Sequence, residues 1–364
     1  MILSDIIKIL EKFAPPVLQE NYDNSGLLIG KASNEIHKAL VSVDLTEEVL
    51  DEAISKSANL IISHHPIIFG GLKRLNSSNY VERIVEKAIK NDISIYAIHT
   101  NFDNTIKGTN SYIANKLGLK NLRVIKPAKN ILKKLAVFCP LSHAEIVREA
   151  IFEAGAGNIG DYDSCSFNIS GKGSFRAGAN TNPHVGEIGK LHFEEEVKIE
   201  SVFPGFLQGK IISKMIETHP YEEVAYDIYP LENIYDKIGS GVIGELEYEL
   251  EEEEFLKKIK KLTDSKCIKH TNLRGKSIKK VALCGGSGAF LIKDAKALSA
   301  DIYITGDVKY HEFFDAENKM IIADVGHYES EQFTKDLIIS IIKENFSKFA
   351  VLNSEINTNP VKCL

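Results

Sequence analysis

A chain of 364 residues exceeds the usual size of one domain and predicts a large domain with a smaller companion. Hydrophobic residues at 44% and charged residues at 26% describe an ordinary globular protein with enough apolar material for a sizeable core. The formal net charge of -6 argues against nucleic acid as the main partner, and no apolar run is long enough to predict a membrane span.

The first stretch, MILSDIIKILEKFAPP, sets Asp5, Lys8, Glu11 and Lys12 among apolar residues at helical spacing, predicting an amphipathic helix rather than a signal peptide. Tyr22-Asp23-Asn24-Ser25-Gly26 is turn chemistry, followed by a short strand over 27–30 and a second over 38–43. Residues 46–56 carry Val49, Leu50, Ala53 and Ile54 on one helical face. Leu60, Ile61 and Ile62 then run without polar alternation, as a parallel strand covered on both faces does, and stop at His64-His65-Pro66. Ligands collect at the carboxyl ends of such strands, and Pro66 keeps His65 out of the helical region. A helix over 80–91 leads to a buried strand over 93–98, which ends in His99-Thr100-Asn101-Phe102-Asp103. Residues 109–117 read as a helix closed by Gly118.

From about Lys133 the texture changes. A strand over 135–138 and a helix over 143–154 precede a predicted hairpin, with 164–169 and 174–178 joined through Gly171-Lys172-Gly173. A strand over 194–201, a helix over 208–218 and a strand over 225–229 complete an α+β order suited to an inserted ferredoxin-like domain at 132–231. Residues 1–131 and 232–364 then form the two halves of the larger domain. His219-Pro220-Tyr221-Glu222-Glu223 reads as a helix-to-strand turn in preference to a second metal site.

Residues 247–262 start acidic and finish basic, which predicts a solvated helix aligned with its dipole. A strand over 279–283 runs into Cys284-Gly285-Gly286-Ser287-Gly288, whose amides at a helix start predict a moderate anion-holding loop. Gly239, Gly241 and Gly244 match dinucleotide-loop spacing without the required βαβ context, and His270 stands where a phosphate-binding loop ending in Gly275-Lys276-Ser277 needs glycine. Cys139, Cys165, Cys267, Cys284 and Cys363 are scattered, which fits a reducing cytoplasm and neither a disulfide framework nor thiolate metal ligation.

The second half repeats the first. ADIYIT at 300–305 lines up with ANLIIS at 58–63, so Gly306-Asp307 falls where His64-His65 fell. The next strand, 320–323, exits into Asp324-Val325-Gly326-His327-Tyr328-Glu329-Ser330-Glu331, with His327 and Glu331 one helical turn apart on one face. A pseudo-twofold α/β arrangement of βαβ-type halves would gather His64, His65, Asp103, His327 and Glu331 in one cleft. Five donors of mixed nitrogen and oxygen type suit two divalent ions sharing a bridging carboxylate better than one tetrahedral zinc.

SHHP, HTNFD and GHYESE, with YDNSGLLIG, CGGSG and TGDVKYHE, resemble the Nif-three-like family, also called the GTP cyclohydrolase type 2-like family. The resemblance covers about 1–131 and 232–364, and HPYEEVAYDIYPL resembles the PII-like or CutA-like insert of longer members. It implies the same five ligands, a dinuclear centre and a toroidal homohexamer with sites facing an internal cavity. Two divalent ions per chain, drawn from zinc, iron and manganese, acting as a hydrolase on a small-molecule substrate such as a nucleotide, with GTP ring opening as the family name has it, is the expected function. Asp307 and His311 are candidate proton-transfer or ligand-orienting groups. The competing class is a non-catalytic metal-binding or regulatory scaffold with a small-ligand-sensing insert.

Overall fold

The computed structural model describes residues 1–363, and the chain divides into two compact units, Met1–Pro127 with Asp236–Leu364, and Ala128–Tyr235. The first unit is mixed α/β and holds two sheets. One orders its strands Gly26–Ile29, Ser94–Ala97, Leu60–Ser63, Lys38–Ser42 and Ala350–Asn353, all parallel except the antiparallel edge Gly26–Ile29. The other runs Lys269–His270, Ile321–Asp324, Ile302–Thr305, Ser277–Leu283, Gly239–Glu251 and Lys120–Pro127. Its three strands Ser277–Leu283, Ile302–Thr305 and Ile321–Asp324 are parallel, and its edge Lys269–His270 is antiparallel. The sequence repeat thus reappears as two parallel cores, each with a short antiparallel strand beside its last member.

Both cores are covered on two faces, which is why their strands lack polar alternation. Leu60 and Ile62 pack with Leu3, Ile6 and Leu10 of the helix Leu3–Phe13 and with Ile338 and Ile342 of Thr334–Asn345. Ile61, one residue between them, points to the other face, against Val49, Leu50 and Ala53 of Glu47–Ser55 and Ile84 and Ala88 of Tyr80–Lys90. Fully burying each aliphatic side chain contributes roughly 1.5–3 kcal/mol, so these layers hold the strand ends rigidly. Local signals agree: Thr46 caps Glu47–Ser55 by accepting from the Val49 amide at 3.3 Å, and Gly118, at φ 83°, closes Thr109–Leu117. No helix among the described residues is long and apolar enough to cross a membrane.

The second unit has the order strand, helix, strand, strand, helix, strand, from Leu132–Pro140 to Tyr226–Pro230. Its four-stranded antiparallel sheet orders Phe167–Arg176, Leu191–Pro204, Leu132–Pro140 and Tyr226–Pro230. The expected hairpin turn at Gly171-Lys172-Gly173 is not a turn. Those residues continue one strand and pair with Glu196, Glu195 and Glu194, while the chain reverses between Arg176 and Leu191. Gly173 lies under the Glu196 carboxylate, which a Cβ there would push aside. The predicted helix over 247–262 also begins later. Residues up to Glu251 extend the long strand Gly239–Glu251, whose ladder to Ser277–Leu283 outweighs their helical charge pattern, and the helix is Glu252–Thr263.

Candidate metal centre

The carboxyl ends of the two parallel cores bring the chemistry together. His64 and His65 follow Leu60–Ser63 directly, where the chain bends, with their amides bonded to the Ser42 and Val43 carbonyls at 3.1 and 2.9 Å. His99 follows Ser94–Ala97, and Asp103 closes the short helix Thr100–Asp103 behind it. From the other core, Asp307 follows Ile302–Thr305, and His327 opens the helix His327–Glu331 just beyond Ile321–Asp324.

Each imidazole is held by its Nδ1. That of His64 donates to the Ile98 carbonyl at 2.8 Å, that of His65 to Asp44 at 2.7 Å, and that of His327 to Asp307 at 2.7 Å. Acceptors of this kind require the proton on Nδ1, which leaves the Nε2 lone pair of the neutral ring free.

Glu331, 3% exposed, stands where these lone pairs converge. Its Oε2 lies 2.9 Å from His65 Nε2 and 3.0 Å from His327 Nε2, while Oε1 lies 3.8 Å from His64 Nε2. Asp103 Oδ2 is 3.6 Å from the same His64 nitrogen. His64, Asp103 and Glu331 therefore make one three-donor group and His65, His327 and Glu331 another, each with its ligand atoms within 4.8 Å of one another. His64 Nε2 and Glu331 Oε2 are nevertheless buried without an aligned hydrogen-bond partner. Each is a buried polar atom left without a partner inside the donor cluster, and a cation beside each would satisfy it. The residues present fit metal ions, and their nitrogen and oxygen donors suit several divalent metals.

Electrostatics agree with that reading. Burial would push His65 down, but the Asp44 and Glu331 carboxylates outweigh it and raise it to about 10; His327, between Glu331 and Asp307, rises to about 9. Burial likewise works against Glu331 ionising, yet the surrounding imidazoles hold its carboxyl well below the usual range. The carboxylate is thus stable only with positive charge beside it, from protons or from metal. Cys284 is buried nearby, and burial together with Asp103 and Glu331 pushes its thiol up, so it remains a neutral thiol rather than a thiolate ligand.

In the glycine loop Cys284–Gly288 the three glycine amides bond within the fold: Gly285 donates to Asn110 Oδ1 at 2.8 Å, Gly286 to Ser330 Oγ at 2.9 Å and Gly288 to Thr305 Oγ1 at 2.9 Å. Its glycines serve close packing. A Cβ on Gly286, at φ 62°, would collide with Glu331 Oε1, and one on Gly306 would lie 2.8 Å from the His327 amide nitrogen.

Of the residues singled out in the sequence, His64, His65, Asp103, His327 and Glu331 converge, and Asp307 touches His327 and accepts from Ser287 at 2.6 Å. His311 stays exposed among Tyr310 and Phe314, with ring centroids 5.1 and 6.3 Å away. His219 has no free nitrogen: Nδ1 accepts from the Tyr221 amide at 3.1 Å and Nε2 donates to Phe138 O at 3.0 Å. Sequence reasoning missed Asp44, Asp23 and the role of His99. Asp44 and His99 both follow strands of the first core directly, the same signal that had selected His64.

Two doubly covered parallel cores with a histidine and carboxylate cluster at their joined ends define an α/β protein able to hold metal ions. The chain belongs to the Duf34/NIF3 (NGG1p interacting factor 3) family, which it matches over residues 1–360. The GTP cyclohydrolase 1 type 2 homolog of Halalkalibacterium halodurans is 41% identical over 360 residues, covering 98% of this chain and 97% of that one. That of Bacillus subtilis is 40% identical over 361 residues, covering 98% and 96%. Among solved structures, a Bacillus cereus protein related to NIF3 superposes with a TM-score of 0.87 at 38% identity over 100% of this chain and 99% of that one. A Staphylococcus aureus protein does so with a TM-score of 0.79 at 29% identity and the same coverage.

Proposed function

We propose that this chain is a dinuclear metal-dependent hydrolase acting on a small molecule of the nucleotide class, by ring opening of the GTP cyclohydrolase type. The observation that carries the reading is the place of Glu331, whose two oxygens face two different donor groups. His64 and Asp103 would hold one cation and His65 and His327 the other, with Glu331 shared. Such ions, when bound, polarise a substrate oxygen and lower the pKa of water. The protein's own part is orientation: Asp44, Asp307 and the Ile98 carbonyl keep the protons on Nδ1 and the Nε2 atoms forward. Zinc, iron and manganese all suit these donors. The nucleotide class rests on the relatives from Halalkalibacterium halodurans and Bacillus subtilis, which are named GTP cyclohydrolase 1 type 2 homologs.

We read residues 132–231 as an inserted ferredoxin-like domain of the PII type, supported by the element and strand order of the second unit. Residues 1–131 and 232–364 are then pseudo-symmetric halves of one metal-binding domain, supported by the matching strand orders of the two sheets. A cytoplasmic homohexamer completes the proposal; the free cysteines accord with a reducing compartment.

Metal analysis of protein purified without added metal, followed by a nucleotide screen led by GTP, tests the reading. Two ions per chain and metal-dependent turnover are expected. If metal-loaded protein turns over no nucleotide faster than its Asp103→Ala variant, the hydrolase reading fails and a metal-binding scaffold replaces it.

A further inference from the structure

Two aromatic side chains stand exposed beside the donor cluster, although the segments that carry them are firmly held. Tyr22, in the turn before Gly26–Ile29, is 65% exposed, and Phe69, shortly after the His64–His65 pair, is 50% exposed. Their rings come from separate segments yet lie within 19° of parallel, with centroids 6.3 Å apart. Phe69 stands edge to face with His99, 5.9 Å away at 70°, and the His99 ring lies 5.2 Å from both His64 and His65. The aromatic pair thus reaches the cluster through one intervening ring.

The backbone on both sides of the pair is anchored. Next to Tyr22, the Asp23 side chain is fully buried and accepts from His99 Nδ1 at 2.7 Å, from the Thr100 amide at 3.0 Å and from the Ser25 hydroxyl at 3.0 Å. Asn24 donates its side-chain amide to the Ile68 carbonyl at 2.6 Å, which ties the Tyr22 turn to the residue before Phe69. Burial, with the carboxylates of Glu20, Asp23 and Asp103, pushes the Tyr22 hydroxyl up, so Asp103 of the cluster is near enough to act on it. Single exposed apolar residues are ordinary, but two near-parallel rings fixed at the edge of a group of buried donors form a surface. A planar ligand gains by stacking on such faces, and any base can use them. The donors beside them favour polar atoms, so a ligand that uses both has a flat ring with a polar edge.

We propose that Tyr22 and Phe69 form a base-binding shelf of the centre, holding a purine ring by stacking so that its polar edge meets the donor cluster. The proposal rests on the nucleotide reading above and deepens it by naming the residues that recognise the base. His99 spaces the shelf from the His64–His65 pair.

The test uses the full chain loaded with Zn(II) and follows binding of guanosine and GTP by calorimetry, with ribose 5-phosphate as the probe that lacks a base. Guanosine affinity is expected to fall about tenfold or more in Tyr22→Ala and in Phe69→Ala, while ribose 5-phosphate and Zn(II) bind as before. Phe69→Leu keeps apolar bulk without a ring face and should fall with the alanine variants, whereas Tyr22→Phe should retain wild-type affinity. The chain has no tryptophan, so Tyr22→Trp introduces a single one, whose fluorescence stacked guanosine should quench. Wild-type protein that binds guanosine no more tightly than ribose 5-phosphate overturns the shelf, as do alanine variants with unchanged affinity. A change of oligomeric state in light scattering, with affinity unchanged, overturns it too and makes the rings a contact between copies. Stacking-dependent binding without metal-dependent turnover of GTP leaves the shelf standing and sinks the hydrolase reading. Turnover with kcat and KM unchanged in both alanine variants does the reverse.

Discussion

Thr358 donates its hydroxyl to Asp44 Oδ2 at 2.6 Å, while Oδ1 of the same carboxylate receives the Nδ1 proton of His65 at 2.7 Å. A residue near the end of the chain thereby steadies an imidazole of the centre through one carboxylate. The segment is held on either side: Ser354 donates to Glu52 at 2.5 Å and Asn359 to Glu329 at 2.9 Å. Thr358→Val should cost about 1 kcal/mol of stability for one lost hydrogen bond, and about tenfold in metal affinity because Asp44 is freed to turn. Competition titration measures the second effect, and Thr358→Ser should restore it. Full metal affinity in Thr358→Val would show that Asp44 holds its place unaided.

Glu331→Gln keeps the shape of the side chain and removes the charge that the two donor groups share. Loss of at least one ion per chain, read by elemental analysis, is expected, with circular dichroism unchanged. Two ions retained at wild-type affinity would remove Glu331 from the bridging role.

The metal-free protein should show a pH-dependent stability that the loaded protein lacks. His65 rises from 6.5 to about 10 on folding and His327 to about 9. A raised folded value stabilises fully below the unfolded one, near 6.5, and that stabilisation is lost as pH climbs through 9 and 10. Urea midpoints of chelator-treated protein should therefore fall across this window. In the loaded protein the cations take the place of the protons, so its midpoint should change less.

Gly286→Ala places a methyl group against Glu331 Oε1 at a residue with φ 62°. Both the left-handed backbone and the collision oppose it, so a loss of at least about 1 kcal/mol is expected, together with weakened metal binding. Thermal melts of metal-free and loaded protein separate the two contributions. Gly275→Ala, also at positive φ but with open space around its Cβ, should show the backbone cost alone.

The second unit should be removable. Pro127 and Gly239 are register partners at the ends of Lys120–Pro127 and Gly239–Glu251, so a short turn can join the chain where the unit leaves. Deleting 128–235 with such a linker should leave a folded protein with its metal content intact. Aggregation, or loss of both ions, would show that the larger unit depends on the smaller.

Much of the candidate site was legible because its donor side chains sit where apolar strands stop. Ile61 and Ile62 announce a doubly covered strand, and His64 and His65 follow it; the repeat ADIYIT led in the same way to Asp307 and, one strand later, to His327 and Glu331. Helical spacing alone put His327 and Glu331 on one face. What one strand end cannot reveal is its partner across the fold. Asp44, Asp23 and Thr358 are ordinary polar residues in sequence, and each gains its meaning from a single hydrogen bond formed only when distant segments meet. Glycine was ambiguous for a related reason. Gly173 and Gly286 read locally as turn or anion-loop residues, yet in the fold each lies against a side chain, Glu196 or Glu331, that approaches the backbone from elsewhere. Periodicity and strand ends are local properties of the chain, so the sequence determined the elements and most of the donors. Pairing, proton placement and close approach depend on distances between remote residues, and the tertiary structure alone decided those.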